Sequence, residues 1–175
     1  IHIIGPGGFA GGPEITSATR LGANGDLRVL GEMALHEGAV VASTDAGHVS
    51  RIEEGSFLTA MGDASFGLTP EGKANATLLK DFSSRAIHET ALKTKLLVRA
   101  YYGTAAQFSY LEGCSNGGRL GLKEAQEYPE DFDGIVAGAP AINGSRFLIT
   151  MLYAQIVMLR DLGRPLTPDQ LALVS

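Results

Sequence analysis

The sequence predicts an α/β protein, a parallel sheet with helices packed against it. Short apolar runs rich in β-branched residues, at 1–4, 39–43, 108–111 and 135–138, alternate with longer stretches whose apolar residues recur every three or four positions. That alternation gives parallel strands joined by right-handed helical crossovers. Glycine is abundant, 23 of 175 residues, as tight functional loops at a sheet edge require. One strand-to-helix junction reads Gly113-Cys114-Ser115-Asn116-Gly117, a G-x-S-x-G spacing that fits a sharp turn presenting a serine.

In chain order, residues 1–4 read as a buried strand. Gly5-Pro6-Gly7-Gly8-Phe9-Ala10-Gly11-Gly12 follows it. This loop lacks the Gly-Lys-Ser/Thr ending of a phosphate-binding loop and the G-x-G-x-x-G spacing before a helix, which argues against a nucleotide. Residues 27–30 are a small extra strand or the lead-in to a helix over 32–37, which Gly38 stops. Residues 39–43 are an apolar strand, and Thr44-Asp45-Ala46-Gly47-His48 leaves its C-terminal end, where functional groups gather in open parallel sheets. Asp45 and His48 lie too close together on one loop to serve a distant nucleophile; Asx-type bonds and pocket lining are expected of them.

Residues 51–80 read as a surface loop along the pocket. Asp81 or Ser83 caps a helix over 84–101, with Ile87, Ala91, Thr94, Val98 and Tyr101 as its buried face and His88 as a packed or surface residue. A strand at 108–111, a helix at 116–127 and a turn at Asp131-Phe132-Asp133-Gly134 come next. A strand at 135–138 and an apolar helix over 146–162 follow, and Thr167-Pro168-Asp169 opens a further helix. Residues 1–143 therefore read as a partial α/β core and 144–175 as a helical stretch that begins after it.

At 45% hydrophobic and 19% charged residues, the chain is globular and long enough for one domain with a real core. A net charge of −5 without a basic run argues against nucleic acid and anionic membrane as partners, and no apolar run is long enough to span a bilayer. The lone cysteine, Cys114, forms no disulfide within the chain; it is either a small buried residue of the turn or the partner of a cysteine elsewhere. The chain starts at Ile1 inside a strand and stops at Ser175 inside a helix, so a core truncated at both ends is expected.

The G-x-S-x-G stretch carries the chemistry. A nucleophilic serine must stand at the tip of a strained turn with its hydroxyl exposed, and the residues two before and two after it crowd neighbouring backbone, so both are glycine. The following helix aims its N-terminal amides at the reaction centre. The loop after the first strand is either a flexible connector or the source of a second amide for an oxyanion, in the manner of the glycine loops of α/β-hydrolases.

Over nearly its whole length the sequence closely resembles the tannase and feruloyl esterase family. The resemblance rests on Gly113-Cys114-Ser115-Asn116-Gly117-Gly118-Arg119, Glu124-Ala125-Gln126, Pro129 and the run from Asp131 to Ala141. Upstream it rests on Gly7-Gly8-Phe9-Ala10-Gly11, Ser43-Thr44-Asp45-Ala46-Gly47-His48, Asp81-Phe82, Arg85-Ala86-Ile87-His88 and Tyr102-Gly103. The resemblance implies an α/β-hydrolase with a lid inserted after the strand at 135–138, acting on small-molecule esters of aromatic acids such as gallate and ferulate. It implies Ser115 as nucleophile and Asn116 with Gly7 or Gly8 as oxyanion donors. It further implies a disulfide from Cys114 to a cysteine beside the catalytic His, outside this chain. It implies chemistry without a cofactor, a structural calcium in the lid outside this chain, and a secreted or periplasmic location; no metal ligand is assigned among these residues. The triad acid and base are expected beyond Ser175, because no Asp after Ser115 is suitably placed and no His follows His88. Two rivals remain: another esterase, lipase or depolymerase sharing only the elbow, and a catalytically incomplete remnant that binds.

Overall fold

The computed structural model describes residues 1–11, 19–21, 27–50, 62–164, 166, 167 and 170. The chain divides into two compact units, Ile1–Pro140 and Ala141–Ser175.

The first unit is built on four parallel strands: β1 (His2–Gly5), β4 (Val41–Ser43), β5 (Tyr110–Cys114) and β6 (Gly134–Gly138), in the order β4-β1-β5-β6. Register pairs Ile4 with Ser43 and with Glu112, Gly5 with Gly113, and Cys114 with Gly138. The strands' C-terminal ends therefore share one edge. After β1 the chain builds outward to β4 and then returns to place β5 on the other side of β1. That reversal opens a crevice beyond the ends of β1 and β5, the usual ligand position in open α/β sheets. A separate antiparallel pair, β2 (Thr19–Leu21) and β3 (Leu27–Val29), leads directly into α1 (Leu30–His36). The open choice at 27–30 thus resolves as strand followed by helix, with Gly38 in the left-handed region just past its end.

Ile3 and Leu111 are register partners on one face of the sheet. They meet Ile87 and Leu120 in a cluster that is almost fully buried, with Phe132 and Ile135 packed against it. Each such side chain contributes roughly 1.5–3 kcal/mol on burial. Ile87 belongs to α3 (Ala86–Tyr102) and Leu120 to α4 (Asn116–Glu127), the helices on either side of β5 in sequence.

Three expectations need correction. The long helix does not begin at a cap near 81–84. Instead α2 (Ala76–Lys80), capped by the Asn75 side chain, runs through a π-helical turn (Asp81–Arg85) straight into α3. Asp81 bonds Arg85 within that turn, at 2.5 Å, and the hydroxyl of Ser83 donates back to the Lys80 carbonyl. Residues 76–80 are thus helix rather than loop, while 51–61 lie outside the described residues. Second, Tyr101 is 83% exposed, although Ile87, Ala91, Thr94 and Val98 form the buried face as expected. A 17-residue helix runs about 25 Å, past the end of strands about 17 Å long, so its last turn has no sheet to cover. Third, β5 starts two residues later than expected and continues through Glu112, Gly113 and Cys114, because hydrogen bonding to β1 and β6 on both sides outweighs the weak strand preference of glycine and glutamate.

The second unit contains α5 (Gly144–Leu162), which ends at Gly163 in the left-handed conformation. Of the helix expected after it, Pro168, Asp169 and 171–175 lie outside the described residues; the Thr167 hydroxyl accepts the Gln170 amide. Among the described residues, no helix is long and apolar enough to cross a membrane.

Candidate active site

Ser115 stands between β5 and α4 with φ 58° and ψ −115°, a backbone conformation rare outside glycine. Strain of this kind costs about 1–3 kcal/mol and persists only where the surroundings enforce it. Three contacts enforce it. The Ser115 amide donates to the Gly138 carbonyl at the end of β6, at 3.0 Å. The Ser115 carbonyl accepts the Arg119 amide, also at 3.0 Å, closing the first turn of α4. The backbones of Gly5, Gly113 and Gly117 press on one another: a Cβ on Gly113 would stand 2.6 to 2.8 Å from three Gly117 backbone atoms, and one on Gly117 would overlap the Gly5 carbonyl. The two motif glycines are needed for the expected reason, and Gly5 is the third member that spacing within the motif does not reveal. The result is an exposed Ser115 at the sheet edge, at the helix terminus where amides lack intrahelical partners.

The loop after β1 is fastened to this turn by side chains. Asn116 is 4% exposed, and its Nδ2 donates to the Pro6 carbonyl at 3.1 Å. Its Oδ1 accepts from Arg119 Nε at 2.8 Å. The remaining guanidinium nitrogens donate to the carbonyls of Ser83 and Phe82, at 3.1 and 2.9 Å, and the group lies over the Phe82 ring at 4.9 Å. Burial draws the Arg119 pKa below its usual value; an arginine in this position still carries its charge at neutral pH. The π turn thus holds Arg119, Arg119 holds Asn116, and Asn116 holds Pro6, directly before Gly7 and Gly8. Beyond them the loop is fixed by the Ala10 amide donating to the Gly7 carbonyl and the Gly11 amide donating to the Asp45 carbonyl, at 3.0 and 3.1 Å. Arg119 and Phe82 figured in the sequence only as residues of the resemblance, and Pro6 only as part of the glycine-rich loop, with no role given to any of them; the local signal was Arg119 three residues after Asn116 on one helix face.

The other candidates resolve as follows. Cys114 is exposed and free, not a small buried residue, because the alternation of β5 turns Leu111 and Gly113 inward and Cys114 out. Asp45 makes the Asx-type bond expected of it, to the Gly47 amide at 2.8 Å. Together with Thr44, Gly47, Asp81 and Arg85 it lines an open polar hollow of about 380 Å³, whose wall does not include Ser115. His48 is buried and stacked on Phe66 with ring centroids 3.7 Å apart, and His88 bonds Asp131. Among the described residues no histidine hydrogen-bonds Ser115.

The chain is similar to known proteins over most of its length. The family model described as "Tannase and feruloyl esterase" matches residues 1–175. A probable feruloyl esterase of Arthroderma benhamiae is 45% identical over 130 residues, 74% of this chain and 22% of that protein. A probable feruloyl esterase B-1 of Aspergillus terreus is 39% identical over 142 residues, 79% of this chain and 21% of that protein. Among solved structures, feruloyl esterase B from Aspergillus oryzae superposes with a TM-score of 0.62 at 28% identity, covering 90% of this chain and 25% of that one. The tannin acyl hydrolase from Aspergillus niger gives a TM-score of 0.62 at 27% identity over the same shares. The chain spans about a fifth to a quarter of the length of these relatives. The parallel sheet with flanking helices is thus part of the α/β-hydrolase fold of its structural neighbours.

Proposed function

The chain belongs to the tannase and feruloyl esterase family, and on that premise we propose that it carries the nucleophile and oxyanion half of a serine carboxylester hydrolase for esters of phenolic acids, such as feruloyl or galloyl esters. The observation that carries this reading is Ser115, exposed and strained at a turn that three backbones lock in place.

In the proposed reaction Ser115 Oγ attacks the ester carbonyl while a histidine from outside residues 1–175 takes its proton, oriented by an aspartate likewise outside. The carbonyl oxygen becomes an oxyanion, received by the Asn116 amide and by that of Gly7 or Gly8. One such donor is worth roughly 2.7–4 kcal/mol of barrier elsewhere. The C–O bond to the alcohol breaks, the alcohol leaves with the histidine's proton, and water hydrolyses the acyl-enzyme by the same route reversed. The Asn116 side chain does not touch the ester in this scheme; its bond to Pro6 sets the loop that does. The reading takes no cofactor for the chemistry, assigns a structural calcium to residues outside this chain, pairs the exposed Cys114 with a cysteine outside it, treats 144–175 as the start of a lid, and places the enzyme in the periplasm or outside the cell.

The test uses the full-length polypeptide. A fluorophosphonate probe should modify Ser115, read by peptide mass spectrometry, and Ser115→Ala should abolish hydrolysis of methyl ferulate and methyl gallate. Activity confined to long-chain acyl esters would place the enzyme with lipases instead. Modification of a different serine, with Ser115→Ala fully active, would remove the nucleophile assignment.

A further inference from the structure

A second polar cluster lies further along the helix that carries the elbow, and the ester chemistry does not use it. Glu124 of α4 is 0% exposed, and neither of its carboxylate oxygens has a hydrogen-bond partner. A buried carboxyl without partners is costly to keep, so its surroundings call for explanation. Those surroundings are His88 of α3 and Asp131 in the turn before β6. One ligand-type atom from each of the three residues lies within 4.8 Å of the other two. His88 Nδ1 is 2.6 Å from Asp131 Oδ2, and the imidazole is stacked on Tyr128 with centroids 3.9 Å apart, so the ring is held in one orientation. Burial, and after it the negative charge of Asp131, pushes the Glu124 carboxyl up to about 8. Two carboxyl groups and one imidazole therefore share a dry space that is short of positive charge.

We propose that His88, Glu124 and Asp131 bind a divalent transition-metal ion of the zinc class. The donor set selects that class. One imidazole nitrogen with two carboxylate oxygens suits zinc, cobalt or manganese; calcium takes six to eight oxygens, and magnesium retains most of its waters. Ligands of a tetrahedral ion sit about 3.4 Å apart when each bond is near 2.1 Å. The three groups thus close on the ion by small side-chain rotations, while His88 and Asp131 open from their 2.6 Å contact as the ion replaces the proton between them. His88 keeps 24% of its side chain exposed and Asp131 8%, so the ion enters beside the imidazole. Lys95 opposes binding, but its ammonium is engaged by the Asp131 backbone carbonyl at 2.5 Å and leaves the carboxylate free. A bound ion would clip α4 to α3 and to the turn before β6. It takes no part in ester cleavage, and the inference does not depend on the function proposed above.

The full-length protein, stripped with chelator and titrated with Co²⁺, provides the test. The wild type is expected to show visible d–d absorption of a low-symmetry N/O site, lost on adding Zn²⁺ but not Ca²⁺. Dialysis should find one more ion per chain in the wild type than in Glu124→Gln or His88→Gln. Saturating Zn²⁺, at a hundredfold excess over Kd, should raise Tm by about 2–3 °C in a wild-type protein of the relatives' length and not in the variants, with hydrolysis per folded molecule unchanged. Equal binding by wild type and both variants overturns the site. Where the variants fail to fold, the wild-type spectrum decides: no Zn²⁺-displaceable band means the cluster holds a proton instead.

Discussion

Gly113→Ala offers a sharp test of how the nucleophile is positioned. Gly113 lies within β5, so alanine meets no backbone penalty there and only space matters. The new methyl would stand 2.6 Å from the Gly117 carbonyl carbon, 2.7 Å from its oxygen and 2.8 Å from its Cα, whereas ordinary contact begins at 3.4 Å. The gap must open by about 0.8 Å. β5 cannot supply it, being hydrogen-bonded to β1 and β6 on both sides. The first turn of α4 must move instead, carrying Ser115, Asn116 and the bond to Pro6. Overpacking of this size costs about 1–3 kcal/mol of stability, and a misplacement near 1 Å costs about 10²-fold in rate. Steady-state kinetics on methyl ferulate, corrected for the fraction of fluorophosphonate-reactive enzyme, should show kcat down by about 10²-fold with KM little changed. Gly121→Ala on the same helix is the milder comparison: its Cβ would meet the Ile135 Cγ2 methyl at 3.0 Å and the Ala137 Cβ at 3.5 Å, side chains rather than a facing backbone. If Gly113→Ala retains wild-type kcat per folded molecule, the three-glycine contact does not set the catalytic geometry.

Further substitutions probe the rest of the frame. Arg119→Met removes three charge-assisted donors, to Asn116, Phe82 and Ser83, and should cost about 2–4 kcal/mol in urea denaturation together with a fall in kcat. Arg119→Lys should recover only part of either, since one ammonium cannot span three acceptors. Ile87→Ala empties the centre of the core cluster and should cost about 2–5 kcal/mol, whereas Tyr101→Ser on the same helix should stay within about 0.5 kcal/mol; comparable losses would contradict the burial pattern. In chelator-treated protein, Glu124 keeps its proton in the folded state up to about pH 8 and releases it near 4.5 when unfolded. The folded state then binds the extra proton between those values, so stability should fall as pH rises from about 4.5 to 8, and Glu124→Gln should flatten that slope in melts across pH.

The sequence made legible whatever depends on local spacing. Gly113, Ser115 and Gly117 announce the turn by their spacing, although the backbone that demands glycine at 117 is that of Gly5, and the parallel sheet follows from alternation alone. What it hid depends on contacts between distant segments. Asp81 and Ser83 look like caps because their side chains compete locally for backbone groups. The helix nevertheless runs through them as a π turn, and the carbonyls of Phe82 and Ser83 there bond a guanidinium 36 and 37 positions away. Glu124 reads as an ordinary wet helix position; nothing in its neighbours along the chain says that α3 and the turn before β6 close over it. Cys114 stays open between a buried residue and the partner of an outside cysteine because a strand ending at Leu111 does not fix its side; the alternation of β5 through residue 114 puts it outside.

These hidden contacts change how the site is to be understood. The G-x-S-x-G pattern alone describes a turn that exposes a serine, and many loops could satisfy it. In the proposed mechanism the amides of two loops converge on one point, and backbone contact between Gly5 and Gly117 brings the loops close without fixing their orientation. Orientation comes from the route through Arg119: its planar fork reaches three acceptors on two elements and leaves Asn116 one geometry in which to hold Pro6. Sterics therefore set the distance between the nucleophile turn and the glycine loop, and a buried, charge-assisted network sets their angle. The two contributions meet in the first turn of α4. Gly113→Ala shifts the turn that carries Asn116 and Arg119, so its effect should couple to Arg119→Met, and Asn116→Ala should add little to Arg119→Met, because both cut the same chain of bonds.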